Sequence, residues 1–137
     1  MGQRTLEITD ISSPLKAAFT ISRGAKTSAE TIRVTLREGD AIGRGECVPY
    51  PRYGETQSGV RAAIEALRAR IEGGLSREAL QAEMPAGAAR CALDCALWDL
   101  EAKQSGRPVW KLAGLPEPKP IETAVTVSLD TAEAMAE

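Results

Sequence analysis

The sequence predicts an α+β fold, in which a three-stranded antiparallel meander is followed by a helical bundle. Apolar residues alternate through the first third of the chain, which is typical of half-buried strands. From Gly59 onward they recur every three or four residues, which is typical of amphipathic helices. With 137 residues and 43% hydrophobic content, the chain is long enough for one ordinary core.

The alternating third divides into short segments separated by turns. Residues 4–11 place Leu6 and Ile8 on one face, and residues 15–22 show a weaker extended pattern. We expect a glycine-containing connection at 23–27, followed by strands at 29–37 and 41–47. These segments predict an antiparallel sheet.

Helices are predicted between residues 59 and 114. The first covers 59–72, capped by Thr56 or Ser58, and a shorter one runs from Ser76 through Gln81. The strongest covers 88–103 and is followed by a turn of helix that opens at Pro108. Its apolar stripe consists of Ala89, Ala92, Leu93, Ala96, Leu97 and Leu100.

Three prolines between residues 116 and 120 indicate an interdomain joint, because proline stiffens and extends the chain. We therefore divide the chain into domains 1–118 and 119–137. The Thr/Val-rich residues 121–128 predict a strand, and Asp130 or Thr131 caps a helix that begins at Ala132. Since so short a segment cannot bury a core, we expect it to begin a domain of β/α repeats.

The charge pattern argues against some classes of partner. The net charge is −2 with basic residues well mixed, which disfavours binding to nucleic acid. Arg61, Arg68 and Arg70 are interpreted as a solvated helix face. No apolar run is long enough to span a membrane and no secretion signal is visible, so a cytoplasmic location is expected.

The sequence contains no histidine, which excludes histidine-based catalysis. Cys47, Cys91 and Cys95 are interpreted as small buried thiols rather than a zinc site. Glu46 and Glu55 flank the loop sequence "ECVPYPRYGET" and could in principle form an acid–base pair. Nothing in the sequence shows that they converge.

Two glycine-containing segments have alternative interpretations. Residues 43–45, Gly-Arg-Gly, are interpreted as a strand that needs small residues, since no helix follows as a nucleotide-binding loop would require. Arg23 lies in the 23–27 connection, where its guanidinium fork would suit a carboxylate. On composition alone a solvated arginine is the commoner outcome.

Four segments together resemble the N-terminal capping domain of the enolase superfamily and its muconate-lactonising-enzyme subgroup. They are "GRGECVPYPRYGET", "AARCALDCALWDLEAK", "RPVWKLAG" and the Thr/Val strand. Within that subgroup, the loop together with "ETAVTVS" is similar to the L-Ala-D/L-Glu dipeptide epimerases. The resemblance extends over essentially the whole chain.

The resemblance implies a cap followed by a (β/α) barrel that carries two catalytic lysines and the carboxylate ligands of Mg²⁺. Those positions lie beyond Glu137, so no catalytic residue or metal ligand is expected in this chain. The implied partners are a small dipeptide and the chain's own barrel, with a homo-oligomer also possible. The residues expected to bind substrate are Arg23, Tyr50, Arg52, Tyr53, Thr123 and Thr126.

Two alternatives to the epimerase cap stay open. The chain could cap another subgroup member, such as a cycloisomerase or an o-succinylbenzoate synthase. It could also be a stand-alone binding domain without catalysis, which would require residues 119–137 to pack back onto the cap.

Overall fold

One antiparallel sheet holds the first third of the chain. A computed structural model describes residues 3–22 and 24–136. The strands are β1 (Thr5–Ile21), β2 (Gly24–Glu38) and β3 (Ala41–Cys47), in the order β1-β2-β3. The predicted three-stranded sheet is confirmed. The predicted connection at 23–27 is wrong in length, because Ile21 already pairs with Gly24 and residues 24–27 extend β2.

Helices follow the sheet, as the sequence predicts. They are α1 (Gln57–Ala66), α2 (Arg68–Glu72), α3 (Arg77–Glu83), α4 (Ala88–Ser105), α5 (Val109–Leu112) and α6 (Ala132–Met135). The single helix predicted over 59–72 is interrupted at Leu67, whose N–H bonds to Ile64 O at 3.1 Å in a tighter turn. Thr56 and Ser76 cap α1 and α3 through their hydroxyl oxygens, which confirms both predicted caps.

Helix α4 lies in backbone contact with β3. A Cβ added to Gly45 would lie 2.0 Å from Ala92 O, and one added to Gly43 would lie 2.2 Å from Ala96 O. The glycines are therefore what allow the helix to approach the strand so closely, as the interpretation of residues 43–45 requires. All six residues of the predicted apolar stripe on α4 are buried.

The edge strand β1 is covered by arginines from α1 and α2. Arg68 Nη1 donates to Leu6 O at 2.7 Å, and Arg61 Nη2 donates to Ile8 O at 3.2 Å. The interpretation as a solvated face is wrong for Arg61 and Arg68, because a sheet edge offers unpaired carbonyls that a long cationic side chain can satisfy. Arg70 is exposed, as predicted, and forms an ion pair with Glu83.

The three cysteines do not share one environment. Cys47 is buried, and burial raises the pKa of its thiol to about 11. Cys91 and Cys95 are exposed, which contradicts the prediction that all three are buried. They lie on α4 outside the stripe through which that helix packs on the sheet.

Residues 117–128 form no regular secondary structure, which differs from the strand predicted at 121–128. A strand forms only when its backbone pairs with a neighbour, and among the described residues this segment has none along its length. Within the described residues, the tail hydrogen-bonds to the sheet near Thr20, where Thr20 N donates to Ser128 Oγ at 3.0 Å and Thr20 O accepts from Leu129 N at 2.9 Å. Thr131 caps α6, as predicted.

Candidate functional site

The loop between β3 and α1 is held at its base by one carboxylate. Glu55 Oε2 accepts a hydrogen bond from Tyr50 N at 3.0 Å, and Glu55 Oε1 accepts one from Ala88 N at 2.7 Å. The Ala88 and Tyr50 amides lower the pKa of Glu55, because they stabilise its ionised form. The loop is therefore fixed to the first residue of α4.

Within this base the loop makes a tight turn. Pro51–Tyr53 form a single turn of 3-10 helix, and Gly54 follows in the left-handed conformation with φ 74°. Proline suits the first position of such a turn and glycine suits the last, since glycine has no Cβ to strain. The rings of Tyr50 and Tyr53 lie 5.7 Å apart between centroids, tilted by 44°.

The tip of the β1–β2 hairpin lies beside this loop. Phe19 pairs with Lys26 across the two strands, and the Lys26 ammonium lies 5.5 Å from the centroid of the Tyr50 ring. A cleft of about 750 Å³ opens between hairpin and loop. Its lining consists of Phe19, Ile21, Gly24, Ala25, Lys26, Tyr50, Pro51 and Arg52.

The structure brings together part of the predicted substrate-binding set. Tyr50 and Arg52 line the hairpin cleft, whereas Tyr53 is 75% exposed and borders a second cleft, which Tyr50 also lines. Thr123 and Thr126 are exposed on the tail and line neither cleft. Arg23 lies outside the described residues, although its neighbour Gly24 lines the hairpin cleft.

Glu46 and Glu55 both border the second cleft, but their environments do not suit an acid–base pair. Glu55 is engaged by two backbone amides, and Glu46 forms an ion pair with Arg33 at 3.0 Å. The pKa of Glu46 is lowered by the Thr31 hydroxyl and by Arg33. A general acid near neutral pH needs a raised pKa, so the structure disfavours this hypothesis for both residues.

The described part of the chain contains no group of three His, Cys, Asp or Glu side chains that could hold a metal ion. None of its helices is long and apolar enough to cross a membrane. Cationic, aromatic and apolar side chains meet in the hairpin cleft, where Lys26, Tyr50 and Phe19 are among the lining residues.

Phe19 and Lys26 are cleft residues that sequence analysis missed. Residues 23–27 read as a loop, so no register between the two strands was available to place these side chains on one face. A signal was present, because a glycine between two extended runs indicates a hairpin, and a tight turn fixes the cross-strand pairs.

The fold and sequence have clear relatives. Residues 3–114 match the family described as "Mandelate racemase / muconate lactonizing enzyme, N-terminal domain". The L-Ala-D/L-Glu epimerase of Escherichia coli is 44% identical over 133 residues, which are 97% of this chain and 41% of that protein. An N-acetyl-D-glutamate racemase from Pseudoalteromonas is 42% identical over 110 residues, or 77% of this chain and 34% of that protein.

A solved structure is also close. An enolase family member from Agrobacterium tumefaciens, described as homologous to dipeptide epimerases and holding sodium and L-Ala-L-Glu, is 49% identical with a TM-score of 0.90. The match covers 97% of this chain and 41% of that one. Other matching dipeptide epimerases were solved with Mg and a dipeptide.

The chain thus spans about two fifths of the length of the first of these relatives. The family match covers the sheet and helices α1 to α5. It confirms the resemblance to an enolase-superfamily cap. The chain belongs to the family of mandelate racemase / muconate lactonizing enzyme N-terminal domains.

Proposed function

We propose that this chain is the substrate-selecting cap of a Mg²⁺-dependent dipeptide epimerase that interconverts L-Ala-D-Glu and L-Ala-L-Glu. The observation that carries the proposal is the composition of the hairpin cleft. Lys26 and Arg52 border it, and none of its described lining residues carries a carboxylate. Such a cleft favours a substrate with an acidic end. The similarity to the L-Ala-D/L-Glu epimerase of Escherichia coli supports the same substrate class.

A (β/α) barrel would complete the enzyme, beginning at about residue 119. The tail supports this division, because Ile121, Val125 and Val127 are 88%, 87% and 54% exposed. Apolar side chains in an extended segment become buried when that segment pairs within a larger sheet. Their exposure argues against a stand-alone domain, which would require the tail to pack back onto the cap.

The chemistry is assigned to the barrel. Two lysines on opposite faces of the substrate would remove the α-proton of the second residue and return one from the other side. Mg²⁺, when held by the carboxylates of the barrel, would supply positive charge that offsets the negative charge developing on the substrate. The cation bound with L-Ala-L-Glu in the Agrobacterium tumefaciens relative supports a metal in this role.

The cap would enclose the substrate and select it. Tyr50, Arg52 and Tyr53 form the loop that closes over the barrel mouth and excludes water, which strengthens the electrostatic interactions inside. Arg23 would pair with the acidic side chain of the dipeptide. Thr123 and Thr126 would face the site from the end of the barrel's first strand.

The reaction can be tested by proton exchange. The signal of the Glu α-proton in L-Ala-L-Glu is followed by NMR in D₂O with Mg²⁺. The measurement is made for the full-length protein that includes the barrel and for residues 1–137 alone. We expect exchange by the full-length protein, its loss with a chelator, and none for residues 1–137. Turnover of a cycloisomerase or o-succinylbenzoate synthase substrate without dipeptide exchange would favour another subgroup member. Exchange with N-acetylglutamate in place of the dipeptide would favour the racemase activity of the second relative.

A role in murein-peptide metabolism, a cytoplasmic location and a homo-oligomeric state stay predictions. The role in murein-peptide metabolism is predicted because the dipeptide L-Ala-D-Glu is a murein fragment. Feeding labelled L-Ala-D-Glu to cells with and without the gene would test it directly, since only cells with the epimerase would accumulate L-Ala-L-Glu.

A further inference from the structure

We propose that Lys26 is a second specificity-determining residue, which pairs with the acidic side chain of the substrate from the hairpin tip. This inference rests on the proposed function and deepens it. It names a described side chain that would distinguish an acidic dipeptide from a neutral one.

The strand register places Lys26 on the cleft side of the hairpin. Lys26 lies directly opposite Phe19, and Gly24 lies opposite Ile21 two residues further along. Opposite residues of an antiparallel pair share one face, as do residues two apart along a strand. Phe19, Ile21 and Lys26 therefore project from the same face, and all three line the cleft.

The Tyr50 ring gives the Lys26 ammonium a defined position. The 5.5 Å distance to the ring centroid is within the range in which an aromatic face attracts a cation. The backbone of Tyr50 is itself fixed by Glu55. The contact with the Tyr50 ring therefore keeps the Lys26 ammonium at the cleft, although the lysine side chain is exposed.

Lys26 has no carboxylate partner within ion-pair distance among residues 3–22 and 24–136. Lys103, by comparison, lies 2.7 Å from the Asp99 carboxylate. Arg52 adds a second positive charge to the cleft lining. A substrate carboxylate would supply the missing counter-charge, and it would accept hydrogen bonds from the ammonium.

The test compares two dipeptides that differ in charge and little in shape, L-Ala-L-Glu and L-Ala-L-Gln. The selectivity ratio, kcat/KM for Glu over Gln, is measured in the full-length protein for the wild type, Lys26→Met, Lys26→Arg and Lys16→Met. Lys16 is an exposed lysine on β1 that does not line the cleft. We expect Lys26→Met to lower the ratio about tenfold, as for one charged hydrogen bond, through a raised KM for L-Ala-L-Glu.

Rescue by Lys26→Arg and an unchanged ratio in Lys16→Met would support a role for the charge at this position. An unchanged ratio in Lys26→Met would overturn the inference, provided that the wild type still exchanges L-Ala-L-Glu. An equal loss with both dipeptides would also overturn it, because that result indicates a structural role. A wild type that exchanges no dipeptide would overturn the proposed function, and this inference with it.

Discussion

The Glu55 carboxylate accepts a hydrogen bond from the backbone N–H of Ala88 at 2.7 Å, which joins the β3–α1 loop to the start of the helix that packs on the sheet. The same carboxylate accepts from Tyr50 N. One side chain therefore couples the loop that borders the cleft to the most buried helix of the domain.

Replacing Glu55 by Gln should weaken the hydrogen bonds that attach the β3–α1 loop to α4. The amide keeps one acceptor oxygen but loses the charge and the second acceptor, so we expect a loss of about 1–2 kcal/mol in the free energy of unfolding. Urea denaturation of residues 1–137 measures it. Glu46→Gln is the control, since Glu46 forms an exposed ion pair whose loss should cost less than about 1 kcal/mol. Equal losses in the two variants would contradict the special role of Glu55.

The contribution of Glu55 should depend on pH. Its pKa is lower in the folded chain than the ordinary value of 4.5, because two backbone amides stabilise the ionised form. The stabilisation is therefore fully present above about pH 4.5 and is lost as the pH falls through the folded pKa. The stability difference between wild type and Glu55→Gln, measured by urea denaturation from pH 7 to pH 3, should shrink towards low pH. A constant difference would show that charge is not the cause.

Gly45→Ala should be strongly destabilising. Its Cβ would lie 2.0 Å from Ala92 O, so α4 would have to move away from β3. We expect a loss of about 3 kcal/mol, at the upper end of the usual cost of overpacking. Gly39→Ala is the control that separates the steric clash from backbone strain. Gly39 has a φ of 58°, which strains an alanine, but no atom lies within 4 Å of an added Cβ. Its loss should be about 1 kcal/mol. Similar losses would argue against backbone contact as the reason for Gly45.

Arg23→Met in the full-length protein should lower kcat/KM for L-Ala-L-Glu about ten- to a hundredfold, the cost of one charged hydrogen bond. The value for L-Ala-L-Ala should change little, since that substrate offers no side-chain carboxylate. Arg37→Met is the control, because the ion pair that Arg37 makes among the described residues is a long, exposed contact of 3.8 Å with Glu7. Unchanged kinetics across the two dipeptides would remove the proposed role of Arg23.

The cysteines should react in two classes. In residues 1–137, Cys91 and Cys95 are exposed, whereas Cys47 is 7% exposed and its thiol pKa is about 11. We expect iodoacetamide to label Cys91 and Cys95 in the native chain, with Cys95 slower because burial raises the pKa of its thiol, and Cys47 only after unfolding, since the thiolate is the reactive form. Mass spectrometry of the digested chain identifies the labelled residues. Rapid native labelling of Cys47 would show that β3 opens locally.

The sheet, the position of α4 and its buried stripe could be predicted from the sequence, because those elements follow from the spacing of apolar residues. The Gly-Arg-Gly segment was also interpreted correctly, since only close packing explains two glycines on one face of a strand. The hydrogen bond between Glu55 and Ala88 could not be predicted, because it joins residues 33 positions apart through a side chain. Lys26 was missed because the register of the hairpin decides where it points.

None of the described side chains at the hairpin tip or in the Tyr50–Gly54 turn belongs to the buried core. Apart from Gly24, whose φ of 133° disfavours other residues, residues that border the cleft can therefore be exchanged at little cost to folding, while the Gly43 and Gly45 contacts keep sheet and helix in place. Such a separation lets mutation explore new substrate preferences without first finding compensating stability. It also makes this domain a suitable starting point for engineering selectivity by replacing the tip and loop alone.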